Sequence, residues 1–242
     1  MRFLEVDRLP KLISTGNEEL DVKLQGGLPF PNLILIEGPH GSSKSVFLQQ
    51  LLFGALKSGL RAVVITTETT STDYLRKMKN ISLDVRDFII KAKLRIYSLQ
   101  IAERGWGGEL ERVVLRKMLE LMKKGSLAFD FLLVDSLTHI LSPLTEKETL
   151  TLFSEARRLS SEECMLAFSL HPNTLDERVM TKFRALSDSY IKLSIATLGG
   201  RTVKVMEIVK LRGAPTTFES TITFDVDPAF GMKLVPIALA RS

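Results

Sequence analysis

The feature that most constrains this 242-residue chain is the run IEGPHGSSKS, Ile36–Ser45. It follows the phosphate-loop pattern G-x-x-x-x-G-K-[ST] at every fixed position but one. Gly38 opens the pattern, and Lys44 and Ser45 close it; the second glycine belongs at position 43, where this chain has Ser43. The flanks supply the context that the pattern requires. NLILIEG (Asn32–Gly38) is a short apolar run ending in glycine and predicts a buried strand. SVFLQQLLFGALKSG (Ser45–Gly59) has apolar residues at helical spacing, with Gly59 as the stop. A strand entering a loop and a helix leaving it aim backbone N–H groups and the positive end of a helix dipole at one point, where an anion fits. The expected nucleotide cradle is Gly38, Pro39, His40, Gly41, Ser42, Ser43, Lys44, Ser45 and Val46. In it Lys44 reaches the β- and γ-phosphates of ATP, and Ser45 is a ligand for Mg²⁺.

Ser43 is the departure. Glycine at this position tolerates unusual backbone or a close phosphate. If φ must be positive there, serine costs about 1–2 kcal/mol, enough to weaken binding without abolishing it. Gly41 leaves one flexible point in the loop.

Further buried strands alternate with helices. RAVVITTE (Arg61–Glu68) predicts a second strand, and STDYLRKMK begins a helix with Ser71 or Thr72 as cap. LRIYSLQ reads as a strand, GGELERVVLRKMLELMKKG as an amphipathic helix ending at Gly125, and FDFLLVDS (Phe129–Ser136) as another buried strand. TEKETLTLFSEARRLSSEE is helical and CMLAFSLH is a strand. This alternation predicts an α/β fold with a mainly parallel central sheet covered by helices. After Ser187 the pattern turns to strands, two of them joined through Gly199-Gly200, and TITFDVDPAFGMKLVPI adds one or two more. The expectation is one domain, residues 1–242, with a β-rich C-terminal part.

Two acids end buried strands. Asp135 follows FLLV, where a phosphate-loop protein needs a carboxylate near Mg²⁺. Glu68 ends VVITTE, positioned to orient or deprotonate an attacking water; an acid favoured by the dipole of the next helix is the plainer alternative. Ser169 and His171, at the end of LAFSLH, occupy the equivalent rim of the fourth strand, either as γ-phosphate sensors or as ordinary loop residues.

Composition removes other classes. The single cysteine, Cys164, excludes an intrachain disulfide and reads as a core residue. Three histidines are too scattered for a metal cluster. No apolar run approaches a membrane span, and MRFLEVDRLPKL lacks a signal-peptide core, so a cytoplasmic protein is expected. The 33 Lys and Arg are interleaved with 28 Asp and Glu, without the aromatic interleaving of a single-strand platform, which argues against nucleic acid.

Taken together these motifs resemble the RecA-like ATPases, specifically the KaiC-like branch. ISTGNEELDVKLQGGLPFPNLILIEG (Ile13–Gly38) is similar to the segment leading into that branch's phosphate loop. VITTET is similar to its acid-tipped second strand, which implies a catalytic role for Glu68. EIVKLRGAP (Glu207–Pro215) is similar to its K-x-R-G strand, which implies that Lys210 and Arg212 reach the γ-phosphate bound by a neighbouring subunit. STGNEELD, the histidine in GPHGSSKS, TTETTS and the ending VDPAFGMKLVPIALARS resemble the ATP-binding accessory proteins of the archaeal flagellum, the archaellum. That resemblance implies a homo-oligomeric ring, of which a hexamer is one form. It also implies archaellum partners: the motor ATPase, the membrane platform protein and a ring-forming scaffold protein, with contact to the membrane only through them. The family generally has glycine where this chain has Ser43.

The functions left in competition are an ATP-dependent binding and switching module with weak or absent hydrolysis, and an actively hydrolysing ATPase. A recombinase lacks a separate DNA-binding domain here. A KaiC-like autokinase of the clock arrangement lacks its second phosphate loop.

Overall fold

The computed structural model describes residues 11–99, 108–162, 164–198, 200–214 and 217–236. In chain order the elements are β1 (Lys11–Ile13), α1 (Glu18–Lys23), β2 (Leu28–Phe30), β3 (Asn32–Glu37), α2 (Lys44–Lys57), β4 (Ala62–Thr66), α3 (Ser71–Asn80), α4 (Arg86–Ile90) and β5 (Leu94–Ser98). They continue with α5 (Glu109–Lys124), β6 (Phe131–Asp135), α6 (Thr138–Leu141), α7 (Glu146–Glu162), β7 (Met165–Leu170), α8 (Glu177–Leu186), β8 (Ser189–Leu198), β9 (Arg201–Leu211), β10 (Thr221–Asp227) and β11 (Gly231–Leu234).

Nine strands form one sheet in the order β11-β10-β9-β8-β3-β7-β6-β4-β5. The six from β8 to β5 are parallel. β9, β10 and β11 extend the sheet as antiparallel hairpins. β3, β4, β6 and β7 are buried at every position because helices cover both faces, so they read as unbroken apolar runs. One face packs α2 and α3 against Ile34, Val64, Leu133 and Ala167. The other packs α5, α7 and α8 against Leu35, Val63, Val134 and Phe168. The expected parallel core with a β-rich C-terminal extension is the observed fold.

Details differ from the sequence reading. The cap of α3 is Thr70, whose hydroxyl accepts from the Asp73 amide, not Ser71 or Thr72. Gly125 does end α5, but a single 3₁₀ turn, Gly125–Leu127, follows it. α8 was not anticipated. Its signals are an N-cap, Asp176, and apolar Val179, Met180 and Phe183 one turn apart. Cys164 lies in the core. The Gly199 of the Gly199-Gly200 turn, and Pro215 of the K-x-R-G segment, lie outside the described residues.

Candidate functional site

β3 carries the chain to the carboxyl edge of the sheet, and α2 begins at Lys44. Between them the loop is tightly built. A Cβ on Gly38 would lie 2.6 Å from both the Leu193 carbonyl and the Ser42 hydroxyl, so only glycine fits. Ser43 takes φ 66° and ψ 30°, the left-handed region, and it precedes α2 without a side-chain cap. The positive φ that makes glycine the expected residue is therefore present, and serine bears its cost.

Lys44 is folded over this loop. Its Nζ donates to the carbonyls of Gly38 (2.7 Å) and Pro39 (2.9 Å) and lies 3.4 Å from His171 Nδ1. Burial lowers its pKa; the charges of Glu68 and Asp135 hold it partly up. These three groups thus share one small volume.

β4, β6 and β7 end beside the loop. Period-two alternation puts Thr66, Asp135 and Ser169 on the face of Val64, Leu133 and Ala167, toward α2. Asp135, 3% exposed, accepts at Oδ1 from the hydroxyls of Ser45 (3.2 Å) and Ser169 (3.1 Å). Its pKa is pushed up to about 6, by burial first and the Glu68 charge second, against those hydrogen bonds and the Lys44 charge. A cation placed beside such a buried carboxylate would favour its charged form. Thr66 Oγ1 and Tyr74 Oη are buried with no hydrogen-bond partner among the described residues, and burial first, then the Asp135 charge, raise the Tyr74 pKa. Orphaned buried polar atoms mark places for ordered water or an ion. Ser45 and Asp135 provide hard oxygen ligands, with hydroxyls around them to hold water, and this set suits a hydrated Mg²⁺.

His171 closes the other side. Its ring stacks on His40, centroids 3.8 Å apart, and its amide donates to Thr138 Oγ1. Burial and the neighbouring Lys44 and His40 lower its pKa, with Glu68 opposing. Nε2 lies 3.5 Å from Glu68 Oε1, an electrostatic contact too long for a good hydrogen bond. Sequence spacing gave no sign of the His40–His171 stack, which joins positions far apart in the chain. Thr66 was also missed; it lies two residues before Glu68 and level with Asp135 on the neighbouring strand.

Lys210 and Arg212 are not part of this cluster within one chain. Lys210 pairs with Tyr190, which is level with Leu35, whereas the loop begins beyond Glu37. Arg212 is exposed, and its amide donates to the Asp188 carbonyl.

The sequence profile described as the KaiC ATPase matches residues 13–237. The chain belongs to the KaiC family of ATPases. Over 231 residues it is 42% identical to the archaeal flagellar ATP-binding protein FlaH of Sulfolobus acidocaldarius, covering 96% of this chain and 100% of that one, which places it in the FlaH group. The FlaH of Methanocaldococcus jannaschii is 24% identical over 226 residues, with 92% and 94% of the two chains covered. The crystal structure of the M. jannaschii flagellar accessory protein FlaH superposes with a TM-score of 0.79 at 22% identity, over 96% of this chain and 100% of that one. A KaiC-like protein from Pyrococcus horikoshii gives 0.73 at 19% identity, over 94% and 100%. Both share the fold. No helix among the described residues is long and apolar enough to cross a membrane.

Proposed function

We propose that this chain is an ATP-dependent switching module of the archaellum, cytoplasmic and peripheral to the membrane-embedded motor. In this reading residues 1–242 form one nucleotide-binding domain. ATP with Mg²⁺ occupies the loop from Gly38 to Val46, the chain assembles into a ring, of which a hexamer is one form, and the ring binds the motor ATPase near its platform and scaffold proteins. The observation that carries the reading is the convergence of Lys44, Ser45, Asp135 and Glu68 on one loop edge. The FlaH relatives supply the archaellum context.

Each side chain has a stated task. The amides of the loop and the N-terminus of α2 hold phosphate oxygens. Lys44 exchanges its two carbonyl acceptors for phosphate, a charge-assisted bond stronger than those it leaves. Ser45 and Asp135 hold Mg²⁺, which neutralises phosphate charge when bound. Lys210, near the end of β9, and Arg212, exposed just beyond it, are the groups offered to a neighbouring subunit's nucleotide.

Weak hydrolysis is favoured by the left-handed Ser43, which strains the loop that must grip the transferring phosphoryl group. The second reading, an active ATPase, draws on Glu68, exposed at the rim and facing His171, where it would orient water. Denaturing the freshly purified protein and identifying the released nucleotide separates these. Retained ATP supports the switch, steady phosphate release supports the enzyme, and absence of affinity for added ATP refutes both.

A further inference from the structure

Thr66 ends β4 level with Asp135, which ends β6, and the two strands run parallel in register there. Residues level on parallel neighbours point to the same face of the sheet, with backbones about 4.8 Å apart. The Thr66 hydroxyl and the Asp135 carboxylate therefore stand side by side. Thr66 Oγ1 is fully buried and has no hydrogen-bond partner among the described residues.

Tyr74 shares this condition. It sits one turn into α3, on the buried face of the helix, in the cluster that holds Val64 and Leu133, the residues two before Thr66 and Asp135 on their strands. Its Oη is also buried and unpaired among the described residues. Burial first and the Asp135 charge second raise its pKa, so the phenol and the carboxylate are neighbours. The start of α3 is tied to the main chain around it. The Tyr74 amide donates to the Thr70 carbonyl at 2.9 Å, and the Ser98 hydroxyl of β5 donates to the Thr69 carbonyl at 2.9 Å.

Valine in place of Thr66, or phenylalanine in place of Tyr74, would fill the same space without an oxygen. Each oxygen as it stands costs desolvation with no bond returned from the protein. Asp135 takes the Ser45 and Ser169 hydroxyls at one oxygen, Oδ1. Mg²⁺ is octahedral and keeps several of its waters, and those waters need acceptors. A hydroxyl oxygen is such an acceptor.

We infer that Thr66 and Tyr74 are positioning residues for the metal, their hydroxyls accepting hydrogen bonds from water on the Mg²⁺ that Ser45 and Asp135 hold. The inference rests on the nucleotide reading of the phosphate loop. Neither side chain touches metal or phosphate; each acts by orienting a water. Partners of this kind typically change metal affinity by about ten- to a hundredfold. An isolated structural water would satisfy the same two oxygens, but their loss would then not depend on Mg²⁺.

The test is binding of a fluorescent ATP analogue to the full chain, with saturating Mg²⁺ and again in EDTA. The proteins are wild type, Thr66→Val, Thr66→Ser and Tyr74→Phe, and the quantity read is the ratio of the two affinities. Thr66→Val and Tyr74→Phe keep the shape and remove one oxygen each. Both are expected to lower the ratio about tenfold. Their affinity in EDTA and their ligand-free melting temperature should be no lower than those of wild type. Thr66→Ser keeps the hydroxyl and should keep most of the ratio. A wild-type ratio in both Thr66→Val and Tyr74→Phe would overturn the inference. So would equal losses with Mg²⁺ and in EDTA, or a loss in Thr66→Ser as large as that in Thr66→Val. If Thr66→Val does not fold, Tyr74→Phe decides alone. Wild-type protein that does not bind ATP, or binds it equally with and without Mg²⁺, would instead refute the nucleotide reading itself.

Discussion

At the carboxyl ends of β3, β7, β6 and β4, polar groups are crowded and under-paired, whereas the antiparallel wing of β9, β10 and β11 buries no polar side-chain atom without a partner among its described residues. The rim holds Asp135 with its pKa raised to about 6 and orphaned buried atoms on Thr66, Tyr74 and His171. In the wing Lys204 pairs with Asp225, and no buried polar side-chain atom among its described residues lacks a partner. Both regions belong to one sheet, built by the same rules. The described part of the wing carries no unpaired buried polar side chain, while the rim carries uncompensated desolvation that a bound cation and anion would relieve. Such a difference separates a binding edge from a structural one.

The largest effect should come from Lys44. Lys44→Ala removes a charge-assisted phosphate contact of about 1.5–3 kcal/mol, so ATP affinity falls at least tenfold while the circular dichroism spectrum is unchanged. Unchanged affinity in a folded variant would erase the distinction between the two regions.

Asp135→Asn should act in opposite directions on two readouts. Calorimetric titration should show the Mg²⁺-dependent part of ATP binding lost and the Mg²⁺-free part kept. Melting without metal should show a gain of roughly 1–2 kcal/mol, because a buried charge is gone while an oxygen still accepts from Ser45 and Ser169. Equal losses with and without Mg²⁺ would make Asp135 a structural residue.

The same carboxylate predicts a pH dependence. Its folded pKa, about 6, exceeds the unfolded value of 3.8, so the folded state binds the proton more tightly. Stability from this group is fully present below pH 3.8 and is lost as pH rises through about 6. Mg²⁺ affinity runs the other way and falls as pH drops below about 6, because proton and metal compete for one carboxylate. The check is the difference in melting temperature between wild type and Asp135→Asn, followed across pH 4–8 with and without Mg²⁺. A flat difference in the absence of metal would contradict the assigned shift.

Ser43→Gly should give about 1 kcal/mol by relieving the left-handed serine, seen as a higher melting temperature, and phosphate release should become easier to detect. Any gain in release should vanish in Ser43→Gly/Glu68→Gln while ATP stays bound. In the wing, Lys204→Ala should change stability by less than about 1 kcal/mol and leave ATP affinity alone, since the Asp225 partner is half exposed.

The part of this contrast that was legible in the sequence is local. An apolar run, a loop pattern and an amphipathic helix placed β3, the loop and α2, and acids ending apolar runs placed Glu68 and Asp135 at the rim. The doubt about Ser43 was also legible, because a missing glycine is a statement about φ. What escaped was contact across the chain. His40 meets His171, and Arg184 meets Glu37, through sheet order and helix placement that no local window contains. α8 escaped because its three apolar positions fill a short segment among charged residues. Its two inward roles, packing Phe183 and pairing Arg184, become visible only once β8 lies beside β3.

The central claim, that the rim is completed by nucleotide and Mg²⁺, is tested most directly by the thermal shift of the wild-type protein on adding Mg²⁺ and ATP together. At a hundred times the dissociation constant, bound ligand adds about 2.7 kcal/mol, which in a domain of this size is roughly 5–10 °C. The account predicts that rise, most of it absent with ATP alone and all of it absent in Lys44→Ala. A melting temperature that stays fixed when saturating Mg²⁺ and ATP are added to wild-type protein would contradict it.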